Sequence, residues 1–187
     1  VETLSWALAL LGTNQLMTVV SGVSAVKLFR DIPSELMNMV SFWEHSIACG
    51  TAARILSSYY PYRIDGERFF VAGLLHDIGR LILIQNLPDR YALVFEQARE
   101  KQVFLSVAEK DTFSLDHSEV GAELALQWNL PESLAHMMQF HHSPEKGRTQ
   151  VETAIVNLAD LIVNALEIGC SGESFVPVLE PVVRREI

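Results

Sequence analysis

Two aspartates stand in segments that are otherwise apolar, and they limit the folds open to this chain. Asp77 closes the segment AGLLHD at residues 72–77, and Asp160 lies inside VNLADLI at residues 156–162. An ionised carboxylate is costly to bury unless it is paired or binds a metal ion. We therefore expect a fold whose interior supplies both aspartates with partners.

The spacing of apolar residues is helical along nearly the whole chain. It predicts helices over residues 2–11, 14–30, 35–60, 67–85, 89–101, 104–113, 117–129, 131–142 and 150–168. Asp116 is predicted to cap the helix that begins at His117, with Glu119 completing a capping box. Because no segment alternates as a strand does, the 187 residues indicate one all-α domain, a single helical bundle.

Five of the six histidines follow one another in an ordered series with these aspartates. Each lies in or at the end of a predicted helix, and the series is His45, His76, His117, His141 and His142. Neutral imidazole and carboxylate together suit zinc, iron, manganese or nickel, and they select none of the four. The carboxylate of Asp77 has two oxygens and could bridge two ions. The sixth histidine, His136, projects to a different helix face from His141, and we expect it at the surface.

Other residues near this series have open roles. Gly73 and Gly79 would let a helix or a ligand approach closely on either side of Asp77. Cys49 follows His45 by one helical turn and could lie near a metal ion, but we expect it to be a small buried core residue. Arg80 could bind a phosphate through two hydrogen bonds, cap a helix end, or pair with an acid.

Charge and composition argue against several functions. Lys and Arg number 14 against 23 Asp and Glu, and the formal net charge of −9 would repel a polynucleotide. Residues 3–26 carry no charge, but polar residues interrupt them, so we expect buried helices there and no membrane span. Two cysteines cannot form a disulfide framework. We expect a cytoplasmic domain that binds neither membrane nor polymeric nucleic acid.

The order of these residues resembles the HD superfamily of metal-dependent phosphohydrolases. It is more closely similar to the HDOD group, whose members are typically bacterial and often attached to signalling modules. The matching stretches are residues 42–46, 73–80, 116–122, 128–131, 141–142 and 158–160, and residues 7–12 resemble the HDOD pattern ahead of the metal helices.

The resemblance implies a paired metal site within an HD-type helical bundle. One divalent ion would be held by His45, His76, Asp77 and Asp160. Asp77 would bridge to a second ion held by His117, His141 and His142. Related phosphodiesterases that cleave cyclic dinucleotides use such a pair, but they carry Gly-Tyr-Pro after the two histidines and a lysine after Asp-Ile-Gly. This chain has residues 143–147, SPEKG, and Arg80 at those places.

The resemblance divides the chain into three predicted segments. Residues 1–30 are predicted to be the end of an N-terminal HDOD helical layer whose upstream part is missing, residues 31–168 the metal-binding helical domain, and residues 169–187 an irregular tail. We interpret the chain as a metal-binding HDOD signalling domain with one or two ions of iron, manganese, nickel or zinc. Its predicted partners are a phosphorylated small molecule or nucleotide and signalling proteins.

Two alternatives stay open at this point. One is an active metal-dependent phosphohydrolase in which a metal-activated water attacks the substrate and Asp77 and Arg80 are the catalytic residues. The other is a metal-free helical interaction module.

Overall fold

A computed structural model describes Phe29 and residues 32–60, 65–176, 179 and 181–186. Within these residues every regular element is a helix and no strand occurs, so the predicted all-α fold is confirmed there. The predicted helices over residues 2–11 and 14–30, and with them the N-terminal layer, lie outside the described residues except for Phe29.

The described residues form nine α-helices against the seven predicted from residue 35 onward, and most of them begin and end near the predicted bounds. They are α1 (Met39–Ser58), α2 (Gly66–Leu75), α3 (Ile78–Asn86), α4 (Pro88–Lys101), α5 (Leu105–Phe113), α6 (His117–Gln127), α7 (Glu132–Gln139), a short 3-10 helix (Pro144–Lys146), α8 (Gln150–Ala165) and α9 (Pro181–Glu186).

Side chains at the helix ends explain where α1 and α6 begin. The Asn38 side chain accepts hydrogen bonds from the backbone N–H groups of Val40 and Ser41, so α1 starts four residues later than predicted. At α6, Asp116 accepts from the backbone of Glu119, whose side chain accepts in turn from the Asp116 N–H. The predicted capping box is therefore confirmed, and it fixes His117 as the first residue of α6.

The largest departure from the predicted helices is a break at His76 and Asp77. A single helix was predicted over residues 67–85, but α2 ends at Leu75 and α3 begins at Ile78. Asp77 has φ −98° and ψ 4°, outside the helical region. No proline marks the break in the sequence, so periodicity alone could not locate it. Because of this break, the directions of the His76 and Asp77 side chains are not those of consecutive residues in a continuous α-helix.

Two close helix crossings hold the ends of these helices in place. A Cβ at Gly73 would lie 2.7 Å from the carbonyl oxygen of Cys49, where α2 crosses α1. A Cβ at Gly79 would lie 2.5 Å from the backbone nitrogen of Gly121, where α3 crosses α6. The close approach predicted at both glycines is confirmed. The two crossings hold α2 against α1 and α3 against α6.

The tail is less irregular than predicted. Residues 181–186 form α9, and Val182 and Val183 are buried against Ala154 of α8. Pro181 is the first residue of α9, a position where proline is tolerated because its missing N–H would have no partner within the helix. In the part of the chain that the structure describes, none of the helices combines the length and hydropathy that crossing a membrane requires. The uncharged segment 3–26 lies outside that part.

Candidate metal centre

Two groups of potential metal ligands lie side by side in the interior of the bundle. The first consists of His45, Cys49, His76 and Asp160, and the second of Asp77, His117, His141 and His142. Within each group, one ligand atom per residue lies within 4.8 Å of every other. All seven predicted ligands therefore fall into one group or the other, and Cys49 joins them.

Three helices contribute to the first group. His45 and Cys49 lie one turn apart on α1, His76 directly follows α2, and Asp160 lies on α8. His45 Nε2 lies 3.1 Å from Asp160 Oδ1, and His76 Nε2 lies 3.6 Å from the same oxygen. The Asn164 side chain donates a 2.7 Å hydrogen bond to Asp160 Oδ1, which fixes the orientation of that carboxylate.

The second group is built from a helix start and the turn after another helix. His117 is the first residue of α6, and His141 and His142 follow α7. The Nε2 atoms of His117 and His142 are 2.9 Å apart. His117 Nε2 lies 3.0 Å from Asp77 Oδ1, and His141 Nε2 lies 3.8 Å from it. Two imidazoles thus face one oxygen of the Asp77 carboxylate, and the third, that of His142, contacts His117.

The carboxylate of Asp77 stands between the two groups. Its Oδ1 faces His117 and His141 of the second group. Its Oδ2 lies 3.4 Å from His76 Nε2 and 4.0 Å from His45 Nε2, in the first group. Each oxygen therefore faces a different set of imidazoles. This is the arrangement that a bridging carboxylate needs.

Hydrogen bonds to the backbone fix which ring nitrogen is available in two of the histidines. Nδ1 of His76 donates to the Gly73 carbonyl at 2.7 Å, and Nδ1 of His141 donates to the Met138 carbonyl at 2.6 Å. Because a carbonyl only accepts, each Nε2 carries a lone pair when its ring is neutral. Both Nε2 atoms are buried and have no hydrogen-bond partner among the described residues. This pairing of an anchored Nδ1 with an unpartnered Nε2 is typical of metal-bound histidine and fits a metal ion at each group.

Glu109 is a member of the site that sequence reasoning missed. It is fully buried on α5, its Oε2 accepts from the His117 backbone at 2.8 Å and lies 2.6 Å from His117 Nδ1, and Tyr91 donates to Oε1. A carboxylate in this position orients a metal-binding histidine. Glu109 follows Leu105 by one turn, so the buried face of α5 was the signal that could have revealed it.

Arg80 is buried beside the second group. Its Nη1 donates to Asp77 Oδ2 at 3.2 Å and to the Ser171 carbonyl at 2.7 Å, while Nη2 lies 3.1 Å from the ring nitrogens of His117. Of the three roles left open for Arg80, these contacts match pairing with a buried acid. Ser171, in the segment predicted to be irregular, was not expected at the site.

His136 stays apart from both groups. It is partly buried, and its Nε2 accepts a 2.9 Å hydrogen bond from the backbone N–H of Arg148. Among the described residues it therefore has a structural contact and lies outside the candidate ligand sets.

The buried acids and bases of the site shift one another's pKa values, and each group thereby favours the charge that its neighbours need. Burial by itself would raise the pKa of Asp77, but Arg80 and the neighbouring imidazoles outweigh it and hold the pKa low. Asp160 and Glu109 likewise keep lowered pKa values because histidines face them. Three buried carboxylates thus remain ionised, and Arg80 alone cannot neutralise them.

Two histidines supply the remaining positive charge. Burial would lower the pKa of His76, but Asp77 and Asp160 raise it to about 10. Burial and Arg80 would lower the pKa of His117, but Glu109 and Asp77 raise it to about 9. Burial and the charge of His76 instead lower the pKa of His141 to about 4. At neutral pH, His76 and His117 therefore carry protons that a metal cation would displace.

Metal binding is accordingly expected to release at least about two protons at pH 7.5, one from each of His76 and His117. Since both pKa values lie above 7.5, metal affinity should rise with pH until the higher of them, about 10 for His76, is passed. Isothermal titration calorimetry with zinc in two buffers of different ionisation enthalpy measures the release. Release of no protons would contradict the charge assigned to both rings. The His136→Gln variant, which leaves both groups intact, should release as many protons as the native chain.

An open cleft reaches the candidate site from one side. Its volume is about 410 Å³, and Arg80, His142, Asn157, Asp160 and Ser171 are among the residues that line it. A cleft of this size is typical of small-molecule sites. One member of each ligand group, Asp160 and His142, is thus accessible to a small molecule.

Comparison with known families shows which family the chain belongs to. The family model described as HDOD domain matches residues 1–144, more than half of the chain. The chain belongs to the HDOD family. The matched part of this HDOD domain contains the helix that carries His45, the break at His76 and Asp77, and the start of α6 at His117. It also contains His141 and His142.

Solved structures share the fold of this HDOD domain. An HDOD domain protein of unknown function from Geobacter sulfurreducens is 25% identical, with a TM-score of 0.78 over 97% of this chain and 64% of that one. A candidate phosphohydrolase from Shewanella amazonensis SB2B is 23% identical, with a TM-score of 0.78 over 89% of this chain and 61% of that one. A candidate signal transduction protein from Marinobacter aquaeolei VT8 is 23% identical, with a TM-score of 0.74 over 94% of this chain and 39% of that one.

A curated relative adds sequence similarity without a function. An uncharacterised protein of Treponema pallidum (strain Nichols) is 28% identical over 102 residues, which are 52% of this chain and 20% of that protein. This HDOD domain therefore spans about a fifth of the Treponema protein and less than two thirds of the Geobacter chain. The predicted family and helical fold are confirmed, and the described residues include groups that could hold a metal ion.

Proposed function

We propose that this HDOD domain is a metal-binding signalling domain that holds two divalent transition-metal ions in the core of its helical bundle. The observation that carries the proposal is the position of Asp77, whose Oδ1 and Oδ2 face different groups of imidazoles. A single-ion site needs only one of these oxygens. Iron, manganese, nickel and zinc all accept such ligands.

The proposed ligands divide as the resemblance implies. His45, His76 and Asp160 hold the first ion, His117, His141 and His142 hold the second, and Asp77 bridges them. Asn164 and Glu109 support this assignment, because they orient Asp160 and His117 by hydrogen bonds. The ions would also stabilise the fold, since they bind the folded chain and offset the repulsion among buried acids.

The signalling part of the proposal concerns what the domain recognises. We infer a phosphorylated small molecule or a nucleotide as the ligand, read out by a protein partner. The cleft of about 410 Å³ supports this, because it is large enough for such a molecule and ends at Asp160 and His142. The Marinobacter relative in fold is described as a candidate signal transduction protein.

A metal-dependent phosphohydrolase is a second candidate, and the same cleft favours it. Two bound divalent ions would supply an activated water and would neutralise charge on a phosphoryl group. Asp77 would orient both ions, and Arg80, which lines the cleft beside His142, would balance the charge of the bound substrate. Arg80 is held by Asp77 and Ser171, so it would act from a fixed position.

Elemental analysis and turnover assays test these proposals on the purified chain. We expect about two equivalents of transition metal per chain after incubation with iron, manganese, nickel or zinc and removal of excess ion. The loaded protein is then assayed with nucleotides, cyclic nucleotides and a generic phosphodiester. Binding without product supports the signalling domain, and turnover that Asp77→Ala abolishes supports the hydrolase. A chain that takes up none of these metals is the metal-free helical module and contradicts both.

A further inference from the structure

The first ligand group contains a side chain that the two-metal proposal leaves unused, the thiol of Cys49. Cys49 is 0% exposed, and its Sγ lies 3.4 Å from His45 Nε2 and 3.9 Å from Asp160 Oδ1. Independently of the thiol, Nε2 of His76 is fully buried and has no hydrogen-bond partner among the described residues. It lies within 4.8 Å of Sγ. Four donor atoms of three chemical types therefore surround one point.

The distances between these donor atoms suit a single ion, which would keep Asp77 as a fifth, bridging ligand. Zinc lies about 2.3 Å from sulfur and about 2.0–2.1 Å from nitrogen and oxygen ligands, so neighbouring ligand atoms are roughly 3.3–3.6 Å apart. In the first group the separations are 3.1 Å from His45 to Asp160, 3.4 Å from His45 to Cys49, 3.6 Å from His76 to Asp160 and 3.9 Å from Cys49 to Asp160. Small shifts of the side chains would place all four on one ion.

The charge of the site favours an additional anionic ligand. Two divalent ions and Arg80 together exceed the three buried carboxylates of Asp77, Asp160 and Glu109 by two positive charges when the histidines are neutral. Excess charge is costly in an interior, and a thiolate would lower it by one. Burial and the neighbouring acids raise the pKa of the Cys49 thiol, but a bound cation reverses this balance and deprotonates a coordinating thiol.

We propose that Cys49 binds the first metal ion as a thiolate, and that the first group therefore takes zinc or iron(II) in preference to manganese. The inference rests on the proposed metal site and adds its metal class, because sulfur is a soft ligand that manganese disfavours. The thiol proton passes to solvent as the sulfur–metal bond forms. In the alternative, the thiol only donates a hydrogen bond to Asp160, and no sulfur–metal bond exists.

Cobalt(II) titration distinguishes the two, because cobalt bound to a thiolate gives an intense near-ultraviolet charge-transfer band. Nitrogen and oxygen ligands alone give only the weak visible bands. The chain has two cysteines, and Cys170 is exposed and lies outside both ligand groups, so Cys170→Ser is the matched control. We expect the near-ultraviolet band in the native chain and at equal intensity in Cys170→Ser. We expect its loss in Cys49→Ser and Cys49→Ala.

Zinc competition gives a second measurement on the same variants. Cys49→Ser should lower zinc affinity about tenfold or more and leave manganese affinity nearly unchanged, whereas Cys170→Ser should alter neither. If Cys49→Ser does not fold, the band in Cys170→Ser still assigns the ligand, because Cys49 is then the one cysteine in the chain.

The outcomes separate this inference from the metal site itself. Visible cobalt bands without a near-ultraviolet band show that metal binds without sulfur, which overturns the inference and leaves the metal site standing. A band that survives Cys49→Ser but is lost in Cys170→Ser overturns it as well. Failure of cobalt, zinc and iron to bind at all overturns both.

Discussion

Replacing Asp77 by alanine is expected to abolish paired metal binding and to lower the affinity for each ion by at least about 100-fold. Loss of a supporting residue near a metal already costs 10- to 100-fold, and Asp77 faces both groups with separate oxygens. The variant also leaves the buried guanidinium of Arg80 without its 3.2 Å acceptor on Asp77. Metal content by elemental analysis after dialysis and affinities by competition with a chelator measure the effect.

Matched variants separate the bridging role of Asp77 from a general loss of charge. Asp89→Asn removes an exposed carboxylate at the start of α4 and should retain both ions. His142→Gln removes a ligand of the second group alone and should retain the first ion while losing the second. Circular dichroism shows whether each variant keeps its helices. If folded Asp77→Ala held two ions with native affinity, Asp77 would not be a bridge.

The candidate ligands could be predicted from the sequence because buried charge is rare and therefore informative. Asp77 and Asp160 stand in apolar helical segments, and carboxylates there need partners. Cys49 and Glu109 carried no comparable signal. A cysteine on a buried helix face is usually an ordinary core residue, and Glu109 lies in a segment of mixed polarity. Their positions depend on how α1 and α5 pack, which one helix's periodicity does not specify.

The helices could be predicted because their signals act within one segment of the sequence. The break between α2 and α3 has no such local signal. Apolar periodicity and capping residues act within one segment, and they located α6 together with its capping box at Asp116. The break at His76 and Asp77 coincides with a contact distant in sequence, since His117 Nε2 lies 3.0 Å from Asp77 Oδ1. Local propensity favours a continuous helix there, and tertiary contacts override it.

Gly79→Ala is expected to be the most destabilising small substitution in this part of the fold, by about 3 kcal/mol or more. The new Cβ would lie 2.5 Å from the backbone nitrogen of Gly121 and closer still to the carbonyl oxygen of His117. Both are backbone atoms of α6, so relief requires a shift of the whole helix and not of a flexible side chain. Urea unfolding followed by circular dichroism measures the change in the free energy of unfolding.

Gly66→Ala is the matched control, because it adds the same methyl group to the first turn of α2. Its Cβ would meet the Cγ atom of Arg54 at 3.2 Å, on a flexible side chain that can move. The better helix propensity of alanine, about 1 kcal/mol, should offset that contact, so stability should change little.

Because α6 begins at His117, the shift forced by Gly79→Ala would also move this ligand away from Asp77. Weakened metal binding should therefore accompany the loss of stability in Gly79→Ala, and native stability in that variant would show that α3 and α6 do not cross as closely as described.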